Sequence, residues 1–295
     1  ILPNIARQNM ETENLINRAV DEDVLMPSNE DVRARVNTMY LGGKADDKGQ
    51  LSGYDEHTVS TYGFVDAKAD MYARGGLGLY VARTHSKYND NSSRYNNSME
   101  MFVPLTYHRG GVSAMFKPKG GFGHGHFRRQ GLDKRFKGDT TEYYYGADTL
   151  ARYTFDFDGV EIAPTAGLSL TGMHMEGYQE SQGGLKVDGG SVFSTKSIFG
   201  ADVSKTFAID EHQALKLTAG GRYYHEFGER YHTTANVEDM AGKYDITDER
   251  LQRNSGLLRL KTQYNYKQFT VGAEAAAPLK NNTDPYYYLN MGYWF

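Results

Sequence analysis

The chain has 295 residues with 33 basic and 37 acidic side chains, so no excess of positive charge argues for nucleic-acid binding. Having no Cys, it can form no disulfide, thiolate metal site or thiol nucleophile. Its 33 Gly, 7 Pro and 23 Tyr favour strands and turns, and no stretch approaches the roughly 18–20 apolar residues of a membrane-spanning helix.

The first segment, PNIARQNMETENLINRAVDEDVL, lacks alternation and reads as a helix. Ile5, Leu15, Ile16, Ala19 and Val20 are its apolar residues, but Arg7, Glu11, Glu13, Arg18 and Glu22 interrupt any broad stripe. Such a helix is poorly suited to a core and worse suited to lipid. MPSNEDV breaks it before a first strand at Arg33–Leu41. No signal peptide is visible, and the chain opens on Ile1 rather than Met, so we expect a piece of a longer polypeptide.

From there on, apolar residues recur with period two. In TEYYYGADTLARYTFDF, Tyr143, Tyr145, Ala147, Thr149 and Ala151 share one face, and Glu142, Tyr144, Asp148 and Arg152 the other. ALKLTAGGRYYHEF and LLRLKTQYNY alternate likewise, whereas the second and eighth segments, near Val59–Val65 and Phe199–Val203, are the weakest. The count is about twelve strands, many of 10 or more residues, which is the length of a tilted bilayer crossing rather than of an ordinary strand.

Long polar connections such as HSKYNDNSSRYNNS, RRQGLDKRFKGD and EGYQESQGGLKVDGG alternate with tight ones such as DAKAD, HRGG, DFDG, IDEHQ and NYKQ. In an up-and-down barrel this puts the long loops on one rim and the short turns on the other. One strand face carries Arg35, Glu142, Asp148, Arg152, Arg222, Arg259, Lys261 and Glu274. Charges of both signs cannot form a dry core at acceptable desolvation cost, so that face borders a wet lumen and the apolar face meets lipid. The fold expected is an all-β transmembrane antiparallel up-and-down β-barrel of about 12 strands with an N-terminal α-helix inside the pore.

Twelve strands about 4.8 Å apart and tilted by about 40° close into a barrel roughly 24 Å across, leaving a bore of ~10–14 Å. One helix is about 10–12 Å wide. A helix directly before the first strand can thread that bore, the alternative being a disordered leader on the periplasmic or surface side. We divide the chain into a linker or plug helix, residues 1–30, a reading that also leans on the family resemblance given below, and an outer-membrane barrel, residues 31–295. Arg7, Glu11, Glu13 and Arg18 belong to the plug, with Arg152 and Arg222 expected among its lumen partners. In the last strand, PYYYLNMGYWF, Tyr287, Leu289, Met291, Tyr293 and Phe295 share the parity that faces lipid.

Several stretches resemble the β-domain of the classical (type Va) autotransporters. VEIAPTAGLSLTGMHMEGYQES is similar to the family's mid-barrel segment, LKLTAGGRYYHEFGE to its Ala-Gly-x-Arg strand, and YLNMGYWF to its closing signal. The resemblance implies a translocator domain in the outer membrane of a Gram-negative bacterium that exports its own N-terminal passenger to the cell surface. It implies that the barrel-assembly machinery reads the last strand and that periplasmic chaperones escort the chain. In some family members a lumen carboxylate cleaves the linker helix; here the candidates for that role are Glu100, Asp148 and Glu274.

Other chemistry is thin. His124 and His126 in GFGHGHF share a strand face without a third ligand nearby, so they read as interfacial histidines; no metal and no cofactor is expected. KPKGGFG lacks the ending of a phosphate loop. His225 beside Glu226 is the one pairing that would suit a hydrolase, but neighbours on a strand point to opposite faces. The basic loop Arg128 to Asp139 could meet lipopolysaccharide phosphates. The alternative function is an outer-membrane small-solute or ion channel with an empty lumen.

Overall fold

Residues 2–47, 52–131, 134–228, 232–237, 244–247, 253–279 and 285–295 are described in the computed structural model of the chain. The first element is α1, Leu2–Val24, with Pro3 in its first turn, where a missing N–H costs nothing. Ile16, Val20 and Val24 recur at four-residue spacing and are fully buried. The helix ends ahead of Pro27, which disfavours helical geometry in the residue before it.

Barrel strands follow in chain order. They are β1 (Val32–Ala45), β2 (Tyr54–Lys68), β3 (Ala73–Tyr88), β4 (Ser93–Phe102, resuming as Leu105–Arg109) and β5 (Val112–Gln130). Next come β6 (Arg135–Tyr153, with the short continuation Phe155–Phe157), β7 (Val160–Met175), β8 (Gly190–Ala208) and β9 (Gln213–Glu226). The last three are β10 (Asn254–Tyr266), β11 (Phe269–Pro278) and β12 (Tyr286–Trp294). The break in β4 falls at Pro104, which has no N–H for the ladder.

Each strand pairs antiparallel with its sequence neighbour, and β12 pairs with β1 from Arg35↔Trp294 to Gly43↔Tyr286, which closes the barrel. At that seam the Tyr287 ring lies across Gly42, where a Cβ would sit 2.3 Å from it. The expected twelve-stranded barrel with one N-terminal helix is the fold observed. The two weak segments are regular: Val59, Val65, Phe199 and Val203 all face outward.

Loop lengths differ from the expectation in an instructive way. HSKYNDNSSRYNNS, read as a long loop, is mostly strand: β3 runs to Tyr88 and β4 starts at Ser93, with a short turn between. RRQGLDKRFKGD is likewise mostly the ends of β5 and β6 (residues 132 and 133 lie outside the described residues). Where a strand leaves lipid its outward residues become polar, so the alternation that marks it disappears although the backbone ladder continues. Two long loops carry strands of their own. Tyr178–Gln179, Leu185–Val187, His232–Val237 and Tyr244–Thr247 form a small sheet at the loop rim.

The opposite rim has tight turns. Asp158 and Gly159 both have positive φ, 55° and 80°, the backbone of a two-residue hairpin. Asp70 accepts the N–H groups of Tyr72 and Ala73, each at 2.7 Å, and these bonds hold its carboxyl below the usual range. Val81, Phe116, Leu168, Leu217, Leu260 and Met291 are among the apolar side chains on the exposed outer face, an exterior suited to lipid rather than water. Near the turn rim Phe269, Tyr293 and Phe295 stack edge to face at 4.7 and 4.6 Å, and Phe155 lies 4.5 Å from Tyr153. The alternation puts Tyr286 and Tyr288 in the lumen, buried, and Tyr287, Leu289, Met291 and Phe295 outside.

Candidate functional site, the helix-filled lumen

The feature a closed barrel makes possible is its lumen, and α1 occupies it along its length. Ile16, Ala19, Val20, Val24 and Leu25 pack with the inward residues Met39 and Leu41 of β1, Tyr62 and Phe64 of β2, Tyr80 of β3, Phe102 of β4 and Tyr286 and Tyr288 of β12. The lumen is therefore not uniformly polar, as strand alternation suggests, but carries an apolar strip on one wall. Burying three aliphatic side chains such as Ile16, Val20 and Val24 contributes about 1.5–3 kcal/mol each. Buried ion pairs roughly break even against their desolvation. The apolar strip thus supplies the affinity and the charges supply the register.

The charges are numerous. Asp23 accepts from Arg35 Nε at 2.8 Å, from the Tyr62 hydroxyl at 2.6 Å and from Asn37 Nδ2 at 3.2 Å. The Arg35 guanidinium lies over the Trp294 ring, 4.7 Å from its centre, and against Gly292, where a Cβ would come within 2.5 Å of it. Glu22 is held by Arg259 and by Lys261 at 2.7 Å. Arg18 reaches Glu274 at 2.6 Å, with its guanidinium over Tyr286. Lys117 bridges Asp21, the Asn17 amide oxygen at 2.7 Å and Asp148 at 3.3 Å.

Both helix ends are tied to the barrel. Arg33 donates to the carbonyls of Val24 and Met26, the orphan acceptors at the helix end, and pairs with Asp66 at 2.8 Å, which also holds Arg74 at 2.7 Å. At the loop rim Gln8 donates to Ser86 at 2.8 Å and accepts from the Tyr88 hydroxyl at 2.7 Å. Asn9 donates to Glu142, which Arg94 also engages at 2.7 Å. Met10 packs below the loop sheet against Tyr178, Val187 and Ala235. The helix thus runs from the loop rim to the turn rim.

All eight expected lumen residues point inward, but they do not all touch the helix. Arg35, Glu142, Arg259, Lys261 and Glu274 do. Asp148 reaches it through Lys117 and is otherwise bound by Lys119 at 2.8 Å and Ser169 at 2.6 Å. Arg222 does not: it lies along the wall and donates to Asp202 at 2.6 Å, an acid it shares with Arg259. Arg152 lies 4.0 Å from the same Asp202. Arg222 does not pair with the helix because an unforeseen lumen acid, Asp202, takes its guanidinium, whereas Arg152 lies between that acid and Glu22 of α1 and feels the charge of both. Of the plug residues, Arg18 pairs as described and Glu13 is buried beside Glu100, whereas the side chain of Arg7 lies outside the described residues. Glu11 is half-exposed and has a partner.

Sequence reasoning missed Asp21, Asp23, Arg94, Lys117 and Asp202. A signal for the first two was present. DEDV closes the helix with three acids and no base in the last turn, which opposes the helix dipole and calls for cations outside the helix.

Beyond the helix, Leu150 and Arg152 of β6, Thr165 and Ser169 of β7, Lys196 and Ile198 of β8 and Arg222, Tyr224 and Glu226 of β9 line a cavity of about 710 Å³. At about 30 Å³ per water it has room for roughly twenty. The remaining candidates disperse. His124 is exposed on the outer face, and His126 lies 2.5 Å from Asp139. His225 faces outward to Asn254 at 2.7 Å, while Glu226 turns inward to Ser194, so that pair does not assemble. Among the described residues, no His, Asp and Glu cluster could hold a metal ion.

A family model described as the autotransporter β-domain matches residues 35–276. In fold the chain is similar to the translocator domain of the autotransporter NalP from Neisseria meningitidis, with a TM-score of 0.74 at 14% identity over 99% of this chain and 96% of that one. It is also similar to the β-domain of the Bordetella autotransporter BrkA, with a TM-score of 0.63 at 13% identity over 90% of this chain and 99% of that one. No curated protein sequence gives a match.

Proposed function

Because the chain belongs to the autotransporter β-domain family, the outer-membrane translocators of Gram-negative bacteria, we propose that α1 is the trailing end of the polypeptide this barrel exports. The domain is a transport module with an attached passenger. In this reading residues 1–30 are the linker and plug, and residues 31–295 are the transporting barrel. The observation that carries it is the direction of α1: Gln8 meets Ser86 and Tyr88 at the loop rim, and Asp23 meets Arg35 near the turn rim. A passenger joined ahead of α1 would leave through the loop rim, the cell-surface side. The test is an epitope fused ahead of Ile1 and probed on intact cells. Protease-accessible epitope supports the reading; an epitope that stays periplasmic beside a correctly inserted barrel sinks it.

The closing strand has a second role in this reading. Periplasmic chaperones deliver the unfolded chain, and the barrel-assembly machinery takes hold of Tyr287, Leu289, Met291, Tyr293 and Phe295, an alternating row that ends in a large exposed ring. Deleting Phe295 is expected to cut outer-membrane insertion about tenfold while destabilising the refolded barrel much less, since it removes one rim backbone bond to Ala34 and a ring contact with Tyr293. Normal insertion of that deletion in cells would refute the signal role.

Single-turnover cleavage of the linker is a further reading, favoured at one residue. Asp148 and Glu274 are fully engaged as ion-pair partners. Glu100 is buried beside Asn17 of α1, and its Oε1 has no hydrogen-bond partner, which leaves it an acceptor for a proton. If cleavage occurs, Glu100→Gln abolishes it in a gel assay of the fused chain. Unchanged processing removes Glu100 from that role.

A further inference from the structure

The outer face of the barrel is not chemically even around its circumference. On β3 to β6 the register stacks rows of outward residues above the lipid-facing belt. The row Val81, Met99, Phe122 and Tyr143 is the top of the apolar zone. Directly above it lies Arg83, Asn97, His124 and Thr141, then His85, Tyr95, His126 and Asp139, then Lys87, Ser93, Arg128 and Lys137, with Arg135 beyond. Arg83, Lys87, Arg128, Arg135 and Lys137 are all exposed. Asp139 is the carboxylate within these rows, and it lies against His126. Across the barrel the corresponding outward positions of β7 to β12 hold His174, Phe193, Tyr223 and His225, and among the described residues no Lys or Arg.

We propose that this face of β3 to β6 is a docking site for lipopolysaccharide of the surface leaflet, held through its phosphates; the proposal rests on the outer-membrane assignment and on the loop rim being the cell-surface rim. Three observations converge. The cations begin one row above the apolar belt, at the height where a lipid's headgroup starts, so acyl chains can lie on Val81 and Phe122 while phosphates reach the cations above. The patch is about 15 Å across and about 20 Å along the strands, the scale of a single glycolipid headgroup rather than of a protein partner. Among the described outward strand positions of these rows the cations concentrate on β3 to β6: β1 and β2 add one, Lys44, beside the carboxylate Asp55, and β7 to β12 add none. Arg83 and Arg128 supply the planar fork that suits phosphate oxygens, and His124 adds a donor between them.

The test uses the full chain folded in detergent, with deep-rough lipopolysaccharide, the same lipid dephosphorylated, and phosphatidylglycerol as probes, at about 0.15 M salt, where exposed charges are screened beyond about 8 Å. The unmodified chain should retain the phosphorylated glycolipid about tenfold more strongly than either of the others. The combined variant Arg83→Gln, Arg128→Gln and Lys137→Gln should lose about tenfold or more in retention, given the attraction each basic residue near a lipid surface contributes. Arg83→Lys with Arg128→Lys should retain most of it. Lys205→Gln with Lys267→Gln, cations at the turn rim, should change nothing. Folding of each variant is verified by heat-modified gel migration. Equal retention of the dephosphorylated lipid or of phosphatidylglycerol, or unchanged binding by the folded triple variant, overturns the proposal. Since export of a fused epitope is scored separately, a failure here is distinguishable from a failure of the translocator reading.

Discussion

The two walls of the lumen are built from the same kind of strand and treat the helix differently. The wall of β10 to β12 and β1 to β5 meets α1 with an apolar strip and a row of charged partners, from Glu274 and Lys261 round to Arg35 and Lys117. β8, β9 and the turn-rim halves of β6 and β7 stand back across the cavity, where Arg152 and Arg222 turn to Asp202. β6 and β7 meet α1 chiefly toward the loop rim, through Glu142 on Asn9, Tyr144 and Met173 around Met10 and a long contact from Thr171 to Asn14 at 3.5 Å. A lumen charge thus faces either a helix or water. The difference lies in whether an opposite charge on the wall itself is nearer. Helix docking is accordingly uneven, and the second wall keeps a cavity that a fully packed core would not have.

The comparison breaks most visibly if the helix is removed. A chain starting near Val32 is expected to raise single-channel conductance several-fold in a planar bilayer, because the whole bore of ~10–14 Å opens. Equal, large conductances for both chains would mean that α1 does not fill the pore in solution, and the channel reading would replace the translocator. Next in size is Val20→Asp, which places a carboxylate in the apolar strip. It should undock the helix and produce noisy, enlarged conductance, since an unpaired buried charge costs more than the docking contact it replaces. An unchanged conductance would show that the charges alone hold the helix.

Arg35→Gln is expected to lower the melting temperature by an amount matching about 3–5 kcal/mol, because Asp23 is left buried without its cation. The double change with Asp23→Asn should recover much of that loss, and a double-mutant cycle measures the coupling. Additive effects would place the contribution elsewhere, for instance in the Trp294 contact. The smallest effect belongs to the far wall. Arg222→Gln should leave helix docking and conductance close to unchanged, since it acts through Asp202 and keeps its distance from α1. A conductance change as large as that of Val20→Asp would erase the distinction between the walls.

How much was legible depends on the kind of information. Arg259 and Lys261 were readable as lumen residues because Leu258 and Leu260 alternate with them as large apolar neighbours. Met39 and Leu41 were not, because an apolar residue that points into the lumen looks identical in sequence to one that points into lipid. Asp202 was missed because its strand has the weakest alternation, and Lys117 and Arg94 because their stretches are punctuated by glycines or polar residues. The loop strands at His232–Val237 and Tyr244–Thr247 escaped for a similar reason, since a short polar ladder above the membrane carries no period-two apolar signal.

The sequence by itself determined the barrel: its strand number, its antiparallel meander, which rim holds the long loops and which face meets lipid. These follow from period-two alternation, which is local and cannot shift by one residue without turning every apolar side chain to the wrong face. Only the tertiary structure decided which wall receives the helix and which carboxylate each arginine chooses. Pairs such as Arg18 with Glu274 and Lys261 with Glu22 are brought together by barrel closure across most of the chain, and no pattern within a single strand encodes such distances.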